Sequence, residues 1–159
     1  MKPILLATDG SPSAETATQE AIDLARVFGA PLIVVSVANI VLPPSAGYYG
    51  YGEIASDLHS AEAERVDCLL AETEDRAEAA GLACETLALD GPIASEICRV
   101  ACERGPRLVV IGAHSWGRVG RLLHGSVSTA VLHQAPCPVL VVHGDNPVPT
   151  FDTVEAIAV

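Results

Sequence analysis

Apolar residues in this chain follow two rhythms. In the runs Pro3–Ala7, Leu32–Val37, Leu108–Ile111 and Val139–Val142, consecutive positions are apolar. Continuous rather than alternating apolar runs predict strands buried on both faces, as in a parallel sheet covered by helices. Leu82–Leu89 reads as another strand, less apolar and therefore nearer a sheet edge. Between these runs the apolar residues recur at helical spacing. Ala14, Ala17, Ala21, Leu24, Ala25 and Phe28 form one such stripe, opened by Ser11 as N-cap with Pro12 at the first helical position and closed by Gly29. A second helix resumes near Glu53, with Ile54, Leu58, Ala61, Val66, Leu69 and Ala77 facing inward and acidic residues crowding the solvated face, and it stops at Gly81. A third starts at Gly91-Pro92, is carried by Ile93, Ile97, Val100 and Ala101, and ends at Gly105-Pro106. The fourth begins at Gly125-Ser126, with Val127, Ala130 and Val131 on one face.

The order βαβαβαβαβ predicts a single-domain α/β fold, a doubly wound five-stranded parallel sheet with right-handed crossovers and helices on both faces. Residues 1–143 make up this domain. The pattern lapses from Asn39 to Gly52, where Pro43-Pro44, three glycines and Tyr48, Tyr49 and Tyr51 read as a long loop, a functional lid or a mobile segment. Residues 144–159 read as an extension, partly ordered or disordered, whose Phe151, Val154, Ile157 and Val159 would suit packing on a partner subunit.

Composition narrows the function. A chain of 159 residues, half of them hydrophobic, has material for one sizeable core. A net charge of −11 argues against a nucleic-acid surface. No apolar run is long enough to span a bilayer and Met1 is not followed by a signal peptide, so a cytoplasmic protein is expected. The five cysteines, at 68, 84, 98, 102 and 137, show neither a CxxC pair nor a zinc-like grouping. Cys98 and Cys102, one helical turn apart, allow a redox pair, but small buried hydrophobes are the commoner role.

The charge pattern singles out one stretch. Between Arg104 and Gly144 there is no Asp or Glu, while four of the nine basic residues lie there: Arg104, Arg107, Arg118 and Arg121. That window contains strand, glycine-bearing loop, helix and strand, the arrangement that gathers backbone N–H groups and a helix N-terminus around an anion. If the strand order reverses between the first and fourth strands, Asp9 and Gly112 meet at the crevice. Asp9 would then accept from sugar hydroxyls while the loop after Gly112 supplied phosphate donors.

From Ile4-Leu5-Leu6-Ala7-Thr8-Asp9-Gly10-Ser11 through GSVSTAVLHQAPCPVLVV, ending at Val142, the chain resembles the universal stress proteins. The resemblance implies a five-stranded parallel α/β sandwich, Rossmann-like in its adenine-nucleotide binding, and a homodimer joined through the last strand, Val139–Val142. An apolar strand left at an open sheet edge gives an independent reason to expect that dimer. Nucleotide-binding members carry G-x-x-G, nine residues, then G-[S/T]. Gly112 fits the first position and Gly125-Ser126 the last, with the spacing kept, but Ser115 stands at the second glycine. By similarity Asp9 would bind ribose, the backbone at Val37 would recognise adenine, and Gly112, Gly125, Ser126 and Val127 would hold ribose and phosphates. The ligand implied is ATP, with or without Mg2+.

At 115 a serine Cβ obstructs the close approach that glycine allows, whereas its hydroxyl offers a donor to phosphate. Arg118 and Arg121 add positive charge. Members lacking the motif form a subgroup that does not bind ATP. Other motifs fail on chemistry: Gly112 and Gly117 have Walker A spacing, but Arg118 and Val119 stand where Lys and Ser or Thr belong. No G-x-G-x-x-G follows the first strand. His114, His124, His133 and His143 lack ligand spacing with a carboxylate, and Trp116 reads as a loop anchor. No nucleophile–base pair can be read from spacing, so an efficient hydrolase is not expected. Slow ATP turnover or phosphorylation at Ser126 enters only by family analogy. Two functions remain: an ATP-binding, nucleotide-responsive stress regulator, or a nucleotide-free dimeric interaction protein whose glycine loop is structural. Protein partners are not indicated.

Overall fold

The computed structural model of the protein describes residues 1–38, 51–113 and 126–144, with backbone alone for 51–55 and 126. Nine elements alternate: β1 (Ile4–Ala7), α1 (Pro12–Phe28), β2 (Leu32–Ala38), α2 (Tyr51–Ala79), β3 (Cys84–Asp90), α3 (Ile93–Arg104), β4 (Leu108–Gly112), α4 (Ser126–Gln134) and β5 (Val139–Val142). All strand pairs are parallel and the order is β3-β2-β1-β4-β5. The chain therefore winds outward in both directions from β1, the doubly wound sheet that the continuous apolar runs predict.

Alternation along each strand divides the core in two. Ile4 and Leu6 of β1, Leu32 and Val34 of β2 and Val110 of β4 face α1 and α2, meeting Ala17, Ala21, Ile22, Ala25, Val66, Leu70 and Ala77. Leu5, Ala7, Ile33, Val35, Val109 and Ile111 face the other way, against Ile97, Val100 and Ala101 of α3 and Val131 of α4. The central strands β1, β2 and β4 thus bury residues on both faces, which explains why their sequence runs are apolar at consecutive positions.

Local signals act as expected at α1. Ser11 is its N-cap, accepting from the Ala14 amide at 3.3 Å, and Pro12 follows at the first turn. Gly29 takes the left-handed conformation, φ 59°, and its amide closes the last turn. The helix–sheet match departs from the sequence reading at α2. This helix starts at Tyr51, inside the stretch expected to be loop, and Leu58 and Ala61 are exposed rather than inward. Its 29 residues span about 44 Å, whereas the seven-residue strands beneath it cover about 23 Å. From 56 to 65 the side chains of α2 are exposed apart from the half-buried Glu62, as expected where a helix outruns the sheet; burial begins within the described side chains at Val66 and continues through Leu70, Thr73 and Ala77. The third strand starts at Cys84 rather than Leu82 and lies at a sheet edge, as its weaker apolar pattern suggested. Residues 39–50, expected to be loop, 114–125, expected to be a basic loop, and 145–159, expected to be an extension, lie outside the described residues.

Candidate functional site

In parallel α/β folds every helix starts at the carboxyl end of a strand, so a crevice at that end gathers several helix N-termini. Here the reversal of strand order falls between β1 and β4, which pair in register from Ile4 with Leu108 to Ala7 with Ile111. Beyond this pair β1 is followed by α1, while α4 is the next described element after β4. A cavity of about 440 Å³ opens at that point. Its floor and walls are apolar, from Val35, Val37, Ile93, Ile97, Ile111 and Val127. Thr8, Asp9, Ser11 and Ser128 bring polar side chains to it, and Asp9 is the only ionisable group among the described lining residues.

The Asp9 turn is built locally. Thr8 continues the strand ladder, its amide donating to the Val35 carbonyl at 3.0 Å. Gly10 then adopts φ 75°, a left-handed conformation that side chains disfavour. The turn closes with the Ser11 amide donating to Asp9 Oδ1 at 3.0 Å and the Gly10 amide to Thr8 Oγ1 at 3.4 Å. Asp9 is exposed, with a carboxylate able to accept hydrogen bonds from hydroxyl groups. The starts of α1, α3 and α4 all reach the cavity, through Ser11 and Ala14, Ile93, and Val127 and Ser128. Their dipoles make the crevice favourable to an anion despite the nearby carboxylate.

Gly112 ends β4 at this crevice, and its lack of a side chain has a structural reason. A Cβ there would lie 2.7 Å from the Ala14 nitrogen and the Ser13 carbonyl carbon and 2.9 Å from the Ser13 oxygen. The first turn of α1 packs backbone to backbone on Gly112, and Gly144, just after β5, approaches the same Ser13. These two glycines seat α1 against the ends of β4 and β5.

Four of the eight site residues read from the sequence, Asp9, Val37, Gly112 and Val127, line this one cavity. Ser126 begins α4 beside Val127, with only its backbone described. Ser115, Arg118 and Gly125 lie outside the described residues, as do Arg121, Trp116, His114 and His124. Of the four arginines in the carboxylate-free window, the two that are described, Arg104 and Arg107, lie away from this cavity. Arg104 pairs with Glu85, at 2.5 Å, and Arg107 lies over the Phe28 ring, 4.1 Å from its centroid. Both precede β4, and the Arg107 amide donates to the Pro3 carbonyl before β1, so they sit at the amino end of the sheet, opposite Asp9 and Gly112. The strand β4 thus separates Arg104 and Arg107 from the crevice.

Sequence reasoning missed Thr8, Ser128 and the apolar lining from Ile93 and Ile97. Ser128 has a usable signal, a small polar residue in the first turn of the helix that follows the glycine loop. The cysteines are partly as expected. Cys98 is buried and burial raises its thiol pKa, while Cys84 is pushed up to about 11 by burial and by the carboxylates of Glu74 and Glu78. Cys68 and Cys102, however, are exposed rather than core residues. Among the described residues, no group of three or more His, Cys, Asp or Glu could hold a metal, and no helix is long and apolar enough to cross a membrane.

A family model described as "Universal stress protein family" matches residues 1–143. A universal stress protein of Thermus aquaticus is 37% identical over 142 residues, covering 89% of this chain and 98% of the relative. Another, from Methanocaldococcus jannaschii, is 34% identical over 144 residues, covering 89% of this chain and 81% of the relative. Among solved structures, a universal stress protein in complex with cAMP superposes with a TM-score of 0.68 at 26% identity, over 90% of this chain and 97% of that one.

Proposed function

The chain belongs to the universal stress protein family, and from that premise we propose that it binds an adenine nucleotide, ATP, in the crevice between β1 and β4 and acts as a nucleotide-responsive stress regulator rather than an efficient enzyme. The observation that carries this reading is the cavity itself. Its volume of about 440 Å³ falls in the range of small-molecule sites. Its composition suits a nucleoside: an apolar slot at Val35, Val37, Ile93 and Ile97 for a base, a carboxylate at Asp9 for sugar hydroxyls, and the start of α4 at Ser126, Val127 and Ser128 for phosphate. The related structure that holds cAMP supports adenine-nucleotide chemistry on this fold. In this reading Asp9 orients the ribose, the Val37 backbone reads the base, and Gly112, Gly125, Ser126 and Val127 hold ribose and phosphates. Ser115 and Arg118 complete the phosphate end, and Mg2+, where present, enters on the triphosphate. Slow turnover is compatible with this site but has no base assigned to it. The protein is proposed to act in the cytoplasm as a homodimer joined along β5, whose four residues are all half-buried in the single chain.

A second reading, a nucleotide-free dimeric interaction protein, draws on Gly112. Its glycine is explained by α1 packing without any ligand. The two readings separate when purified protein is denatured and the supernatant is assayed for nucleotide, followed by calorimetry of the stripped protein with ATP. Released adenine nucleotide, or saturable heat with ATP, supports the first. Neither signal at millimolar ATP supports the second.

A further inference from the structure

The Asp9 turn is held from inside by Thr8 and Ser11, and it is also gripped from outside the cavity. Arg65, on α2 and 56 residues away in the chain, donates from Nη1 to the Asp9 carbonyl oxygen at 3.1 Å. The same guanidinium donates from Nε and Nη2 to the two carboxylate oxygens of Glu62, at 2.9 and 2.7 Å. That two-point pairing, one helical turn back on α2, fixes the plane of the guanidinium and leaves Nη1 aimed at the turn. Glu62 raises the basicity of Arg65 and the Asp9 carboxylate adds to the attraction. The helix lies directly over the turn. The δ carbons of Leu69 are 3.5 Å, and Arg65 Nη1 is 3.9 Å, from where a Cβ on Gly10 would sit.

Resting on the nucleotide reading above, we propose that Arg65, braced by Glu62, is a positioning residue that fixes the Asp9–Gly10 turn and thereby sets how strictly the site demands a ribose hydroxyl. The physical reason lies in the turn. A glycine at φ 75° next to an exposed aspartate gives a short pivot, approached from α2 by Leu69 and Arg65. A charge-assisted bond to the Asp9 carbonyl restrains that pivot without occupying the carboxylate. A carboxylate held in place selects for the hydroxyl it accepts from, and a loose one adapts to the lack of that hydroxyl.

The test uses the full chain and its Arg65→Met and Arg65→Lys variants, titrated calorimetrically with ATP and with 2′,3′-dideoxy-ATP. The parent should prefer ATP by about tenfold. Arg65→Met should cut that preference several-fold through weaker ATP binding, with dideoxy-ATP affinity unchanged. Arg65→Lys, which keeps a donor and a charge, should retain more of it. Equal weakening toward both nucleotides, or an unchanged preference, would overturn the proposal. Amide hydrogen exchange supplies a readout that needs no nucleotide. Exchange at Gly10 and Ser11 should quicken several-fold in Arg65→Met while the middle of α1 keeps its protection, and unchanged exchange there overturns the clamp. A parent that binds neither nucleotide overturns the nucleotide reading and the role in ribose selection, while the exchange rates still decide whether Arg65 holds the turn.

Discussion

Replacing Gly112 with alanine tests whether this glycine serves the fold before it serves any ligand. The added Cβ would sit 2.7 Å from the Ala14 nitrogen and the Ser13 carbonyl carbon. Ordinary contact for such atoms begins near 3.5 Å, so the first turn of α1 must retreat by about 0.8 Å. Little allows that retreat. Ala14 and Ala17 are 3% and 0% exposed against the sheet. A Cβ at Gly144 would lie 3.3 Å from the Ser13 Cα, so the same turn is tightly seated from a second side. Overpacking of this kind costs about 1–3 kcal/mol, and backbone against backbone belongs at the upper end, about 2–3 kcal/mol. For a domain of this size that lowers Tm by about 5–10 °C. The measurement is thermal and denaturant unfolding of nucleotide-stripped parent and variant. Stripping matters because a ligand bound only to the native state adds stability by mass action. A variant within about 0.5 kcal/mol of the parent would refute the packing argument, since surface changes without mechanism stay in that range. A destabilised variant would mean that the first glycine of the motif is required by α1 whether or not nucleotide binds.

Asp9→Ala should weaken ATP binding about tenfold or more, the loss of a charge-assisted hydrogen bond worth roughly 1.5–3 kcal/mol; unchanged affinity with a lower Tm would show instead that Asp9 serves the turn through its bond to the Ser11 amide. Light scattering should find a dimer at micromolar concentration, and a monomer at every dilution would exclude pairing along β5. Cys84, with its thiol pushed up to about 11, is about one part in a thousand thiolate at pH 8. Iodoacetamide at that pH should therefore label the exposed Cys68 and Cys102 first, as peptide mass spectrometry would show; equal labelling of Cys84 would contradict its burial.

Much of the fold was legible because it is decided between near neighbours. Whether Val139–Val142 is a strand depends on four adjacent apolar residues, and the structure returns the same bounds. Ser11, Pro12 and Gly29 mark the ends of α1 because caps act within one turn. Continuous apolar runs implied burial on both faces, and that burial implied the parallel sheet. The meeting of Asp9 and Gly112 was legible only conditionally, on where the strand order reverses.

What tertiary structure alone decided concerns partners far apart in the chain. The exposure of Leu58 and Ala61 reflects how far α2 outruns the sheet, a length comparison that helical periodicity does not contain. Arg104 and Arg107 belong to the charge window that pointed to the crevice, yet they stand at the amino end of β4, a strand's length from Gly112. Gly112 reads as a phosphate-loop glycine, while its nearest demand is the backbone of Ser13 and Ala14 from a helix 98 residues earlier in the chain. Arg65 carries no signal toward Asp9 at all; a guanidinium on an acidic helix looks like solvated surface until α2 is laid across Gly10. Local pattern specifies elements through steric and hydrogen-bonding rules that span a few residues, and packing then selects which of their side chains meet.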